Sequence, residues 1–437
     1  MRCLEWRVMR EAGFTEQRIP PALDGGRITS RPFLKKILFC IFGGHVIFLV
    51  PTKIDLKKKK KKKGNHMGDA RDWDEDGYRR SILSERELQC RTVFRTAFAP
   101  NNPRNDDVLV VASSDGSVAP YDLSSSSALH LNKIRGQQSL LDIPVAEPMC
   151  CLNAHKGPAY DVKFYGDGDD SLLLSCGDDG RICGWRWNDI SISDESMPMQ
   201  GIHLESVLEL VNPQHQGPWD ALSPIPETNA IAVNKQEGSI FSATGDGCAY
   251  CWDVETSKRT MTFRGHSAYL HCVVARKSSN QIITGSEDGT ARIWDCRSGQ
   301  CVKVIHPQKG CKLTDSYSYV SCVAVDKYER WLVCGSGRNV SVWSLPACEL
   351  ILSFENKSSV QDVLINDNQI LVVGAEPVLT RMHINGEDFS KIQCAPPSAF
   401  SVSLHPSGVT AVGGYGGLVD IVSEFGSHLC TFRCSCS

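Results

Sequence analysis

The sequence predicts an all-β fold in which seven four-stranded units close into a ring, a seven-bladed β-propeller. Three observations point there. From Arg91 onward, short apolar runs rich in Val, Ile and Ser follow the period of two that buries one face of a strand. Asp-Gly or Gly-rich turns interrupt those runs, and similar units return about every 40 residues, the mark of a repeat architecture. Seven such units align, and an open sheet of that size would leave unpaired edges that ring closure protects.

Residues 1–66 stand apart from this pattern. They hold 16 Lys and Arg against 5 Asp and Glu, net +11, whereas residues 67–437 hold 31 against 45, net −14. The apolar run ILFCIFGGHVIFLV (Ile37 to Val50) contains Gly43, Gly44 and His45. It is shorter than the roughly 20 residues a membrane-spanning helix needs. No small-residue cleavage site follows Val50, so it is a poor signal peptide as well. Lys57 to Lys63 are consecutive lysines, in the manner of a nuclear import signal or a low-complexity linker. A lysine homopolymer is also what a poly-adenine tract encodes. Residues 1–66 are therefore read as a basic, low-complexity extension without a fold of its own, either disordered or an artefact of the gene model, and with no membrane role.

Residues 67–90 are acidic and then amphipathic. In GDARDWDEDGYRRSILSERELQ, Tyr78, Ile82 with Leu83, and Leu88 fall on one helical face, which predicts a single short helix. Residues 91–437 carry the ring. Its units read VLVVASSDGSVAPYDL, LLLSCGDDGRICGWRW, SIFSATGDGCAYCWDV, IITGSEDGTARIWDCR and WLVCGSGRNVSVWSL, then the more degenerate ILVVGAEPVLTRMHI and VTAVGGYGGLVDIV. Most pair a strand, a tight turn and a second strand ending near an aromatic residue.

The fourth unit adds Gly265-His266 well upstream of Trp294-Asp295. With that spacing the chain resembles the WD-repeat family, and the fold expected is a seven-bladed WD-repeat β-propeller. The resemblance implies a structural tetrad of His266, Thr284, Asp288 and Trp294, a buried hydrogen-bond chain in which the histidine links the carboxylate to the hydroxyl. A catalytic triad uses the same residue types, but the repeat already accounts for their spacing. NAHKG keeps His155 without the preceding glycine, and units five to seven lack Gly-His, so those blades are expected to be held less tightly.

Enzyme signatures are missing: there is no GxxxxGK[ST], HExxH or GxSxG. GGYGG (Gly413 to Gly417) falls where a hairpin turn belongs. The CxxC of Cys248 and Cys251 lies on a strand, where residues three apart face opposite ways and share a metal poorly. Neither cofactor nor metal is expected. The 20 cysteines have irregular spacing and no secretory signal, which suggests free, mostly buried thiols in a reducing compartment. The chain reads as a binding protein and not as an enzyme, with its loops and rims as the working surface.

Beyond the generic repeat, FRGHSAYLHCVVA, ITGSEDGTARIWDCRSG, WLVCGSGRNVSVWSL and DEDGYRRSILSERELQCRTVFRTAFAP make the chain similar to the family of sixth subunits of the THO complex, in its plant-type form. The resemblance covers residues 67–437 and implies a nuclear scaffold that coexists with other THO/TREX subunits, couples transcription to mRNA processing and export, and meets RNA mainly through partners. An acidic body agrees, because it repels a phosphate backbone. IITGSEDGTARIWDCR also resembles the box with which substrate receptors dock on the propeller adaptor of cullin-4 ubiquitin ligases. The matching residues are Ile282, Ile283, Asp288, Trp294, Asp295 and Arg297. Folding demands most of them, so Arg297 is the informative one, suited to a bidentate contact. Plant-type relatives further imply a link to abscisic acid signalling through protein turnover.

Overall fold

In a computed structural model, residues 40–42, 45–47, 75–100, 107–124, 143–168, 170–191, 204–216, 222–308 and 319–436 are described. The extension read from residues 1–66 lies mostly outside them, as do residues 67–74. Within it, Cys40–Phe42 pairs antiparallel with His45–Ile47. That short pair belongs to a separate unit, Met1–Lys62.

The second unit, Lys63–Ser437, opens with the helix Glu75–Cys90. Tyr78 and Leu88 fall outside the described side chains. Leu83, placed on its apolar face by the sequence pattern, is exposed, so that face is not fully covered. Seven sheets follow, each built on an antiparallel meander of four strands; in the first, the short strand Val145–Ala146 falls between the third and fourth strands and joins the seventh sheet instead. The innermost strands, in order, are Val93–Phe98, Ala159–Tyr165, Thr228–Asn234, Leu270–Arg276, Val320–Val325, Val360–Asn366 and Ala399–Leu404. The fold is a seven-bladed β-propeller.

Tight turns make the blades compact. Gly116 and Gly289 sit at φ of 85° and 80°, and a Cβ on Gly116 would meet the His155 carbonyl oxygen at 2.4 Å. Glycine alone takes that geometry cheaply. GGYGG does lie at a turn: Gly416 and Gly417 join Thr410–Gly414 to Leu418–Val422. Apolar faces of successive blades bury one another, as where Phe241 and Phe263 of the third blade pack with Trp294 and Ile282 of the fourth. Trp294 is fully buried, and burying a large aromatic of that kind is worth several kcal/mol, roughly 3 to 5 on truncation.

One irregularity repeats around the ring. In every blade the innermost strand is bulged near its start, between Val93/Arg95, Ala159/Asp161, Thr228/Ala230, Leu270/Cys272, Val320/Cys322, Val360/Asp362 and Ala399/Ser401. A bulge re-aims side chains and leaves a backbone group unpaired. Three of these positions use it alike. The side-chain oxygens of Asp161, Asp362 and Ser401 accept the N–H of Ile231, Val402 and Thr96 on the following blade, at 3.0, 3.0 and 2.9 Å.

The ring closes between the seventh and first blades, and Val145–Ala146 adds a parallel edge strand to His428–Cys434. Tyr121 donates its hydroxyl to the Ser435 carbonyl, and Arg91 binds the Cys434 carbonyl. Cys151 and Cys436 form a disulfide there, with Cα atoms 5.8 Å apart. This departs from the expectation of free thiols throughout. The two lie 285 residues apart, so no local spacing marks them as partners. The other described cysteines from Cys90 to Cys434 are free.

Candidate functional site

The fourth blade brings the four tetrad residues into one chain. Trp294 can only donate, and its Nε1–H reaches Thr284 Oγ1 at 2.8 Å. Thr284 lies 2.8 Å from His266 Nε2, and His266 Nδ1 lies 2.8 Å from Asp288 Oδ2. Asp288 also takes the hydroxyl and N–H of Thr290 at 2.6 and 2.9 Å. Burial pushes the Asp288 carboxyl up, yet the hydrogen bonds from Thr290 and His266 outweigh it and hold its pKa at about 2. Burial lowers the imidazole pKa of His266 despite that carboxylate. A neutral imidazole beside an ionised carboxylate fixes the direction of the chain: Trp294 donates to Thr284, Thr284 to His266, and His266 to Asp288.

Each member is thereby satisfied from within, and the side chain of His266 is fully covered. A nucleophile would need an open face. The chain's chemistry is to pin the turn before Leu270–Arg276 to the turn after Gln281–Ser286.

Sequence reasoning missed related constellations. In the second blade His155 bridges Ser175 at 2.8 Å and Asp179 at 2.9 Å, a chain that the retained histidine could have signalled. In the third, His215 arrives from the preceding connection and meets Asp246 at 2.6 Å, while Trp252 donates to Ser242. In the seventh, a buried Asp420 accepts from Thr431 and from the Ala395 N–H.

A further cluster lies on the inner strands. Arg95 of the first blade pairs with Asp161 of the second at 3.0 Å and Asp362 of the sixth at 2.6 Å. Both carboxylates are almost fully buried. Burial would weaken Arg95's hold on its proton, but Asp362 and Asp161 raise its pKa further above the ordinary arginine range. The three come from distant parts of the chain, and no motif announces them.

In the proposed docking box, Ile282, Ile283 and Trp294 are core residues and Asp288 belongs to the tetrad. Only Asp295 and Arg297 are left to present outward. Arg297 is exposed in the turn after Ala291–Asp295, where Asp295 accepts the hydroxyl of Ser298 at 2.7 Å. Among the described residues, no cluster of three His, Cys, Asp or Glu side chains is placed to hold a metal ion. No helix among them is long and apolar enough to cross a membrane.

A seven-bladed ring pinned by His–Asp chains defines a WD-repeat propeller. The family model for "WD domain, G-beta repeat" matches residues 146–186, 257–295 and 300–344. Over 371 residues the chain is 57% identical to THO complex subunit 6 of Arabidopsis thaliana, an alignment that spans 84% of this chain and 99% of that protein. It is 26% identical over 347 residues to the THO complex subunit 6 homolog of Danio rerio, spanning 78% and 96% of the two chains. With THO complex subunit 6 of Homo sapiens it shares 27% identity over 316 residues, 72% and 82% of the two. The chain belongs to the THO complex subunit 6 family.

Proposed function

We propose that the protein is a non-catalytic scaffold subunit of a THO/TREX assembly, acting in the nucleus where transcription is coupled to mRNA processing and export. The observation that carries this is the 57% identity across 99% of the Arabidopsis subunit's length, which extends well beyond the repeat signature. Two features of the molecule support it. The fourth blade's tetrad is satisfied internally, leaving rims and walls for docking. The net charge of −14 over residues 67–437 disfavours direct binding of an RNA backbone, so RNA is met through basic partners. Affinity purification of the full chain from nuclei should recover the other THO subunits in stoichiometric amounts. Recovery of none overturns the reading.

The turn carrying Asp295 and Arg297 favours a second, compatible role as substrate receptor of a cullin-4 ubiquitin ligase, with the propeller adaptor as partner and abscisic acid signalling as a setting. Arg297 is exposed and outside the tetrad, so Arg297→Ala should leave the melting temperature unchanged. It should weaken adaptor binding at least tenfold, about 1.4 kcal/mol, in a titration of purified proteins. A folded variant that binds as the wild type does removes the ligase role and leaves the scaffold alone.

A further inference from the structure

The outermost strands of the third to seventh blades share a second bulge, opposite Cys251/Trp252, Ile293/Trp294, Val342/Trp343, Arg381/Met382 and Ile421/Val422. It leaves Thr260, Val302, Ile351, Phe389 and Leu429 at one equivalent, unpaired position. Thr260 is exposed and polar, as suits a solvent-facing site. The next four blades place apolar side chains there, exposed by 57%, 53%, 60% and 39%. Single exposed apolar residues need no explanation, but the same register position filled in four successive blades forms a band along the outer wall.

Resting on the scaffold reading above, we propose that this band seats an elongated amphipathic segment of another THO subunit. Shape selects that occupant. Four of the seven blades lie on a convex wall, which a second convex copy of the chain, or a flat surface, touches at one blade. Only a narrow segment that follows the wall can reach all four positions. Charge selects its composition. The exposed carboxylates of Glu349 and Glu387 precede Ile351 and Phe389 by two residues, so Lys or Arg would sit between the segment's apolar residues. Lys303, beside Val302, reverses the sign at the fourth blade and gives the segment a direction.

The third blade supplies the control, because threonine at this position is native to the fold. A quadruple variant, Val302→Thr, Ile351→Thr, Phe389→Thr and Leu429→Thr in the full chain, should keep its circular dichroism spectrum and melting temperature. Co-purification of THO subunits from nuclei should fall at least tenfold. If the wild type recovers those subunits and the folded variant recovers them equally, the band is not their seat. If the wild type recovers none, the scaffold reading fails and this inference with it. Photo-crosslinkers at positions 351 and 389 provide a second readout that does not depend on the variant's stability. Crosslinks to one basic, apolar segment of a single THO subunit support the assignment, and crosslinks to a second copy of this chain overturn it.

Discussion

Arg95 ties three blades together through one side chain. It balances two buried carboxylates that are themselves used to cap backbone N–H groups on the third and seventh blades. Removing it leaves Asp362 as a buried charge without its cation and Asp161 with only Lys163 at 3.9 Å, the case in which breaking an ion pair costs most, about 3 to 5 kcal/mol. Arg95→Met should therefore lower the unfolding free energy by that amount in a denaturant titration. The triple change that also makes Asp161→Asn and Asp362→Asn should recover part of the loss. A loss under about 1 kcal/mol in the single variant would mean that water already screens the cluster. Nothing in the sequence pointed to it. Arg95 and Asp362 are 267 residues apart, and each reads locally as a polar residue in an alternating strand.

At the scale of the element, the tetrad makes the fourth blade acid-sensitive. The lowered imidazole pKa of His266 means that its neutral form belongs to the folded state. Its contribution is complete above the unfolded value of 6.5 and is lost as pH falls through the lowered folded value. Asp288 adds a second loss in the same direction as pH falls from 3.8 towards about 2. Protonation of His266 also leaves the Thr284 hydroxyl without its acceptor. Between pH 7 and 5 the wild-type melting temperature should drop more steeply than that of His266→Gln, which does not titrate, so the two curves converge. Parallel curves would show that the histidine does not change its proton on unfolding. This blade was legible in advance because its signature is local: a Gly-His, an Asp-Gly turn and a Trp-Asp at fixed intervals. The outer-strand bulges were not legible, since Ile351 and Phe389 look like ordinary strand residues until the pairing register shows that neither has a partner opposite.

For the molecule as a whole, the count of repeats was readable and their closure was not. The seam is built from irregular pieces: the two-residue strand Val145–Ala146, the tail around Ser435, and the Cys151–Cys436 bridge. Periodicity carries no information about such contacts, because they occur once. A crosslink between residues 285 positions apart limits the unfolded chain strongly, and removing a native bridge typically costs about 2 to 5 kcal/mol. Cys436→Ser should lower the denaturant midpoint under oxidising conditions and have no effect in excess reductant, where the wild type already lacks the bond. Equal midpoints in both conditions would place the two sulfurs in separate thiols.

The guanidinium of Arg95 also works as a spoke: it fastens the inner strand of the first blade to those of the second and the sixth at once, so the disc is braced across its middle as well as around its circumference.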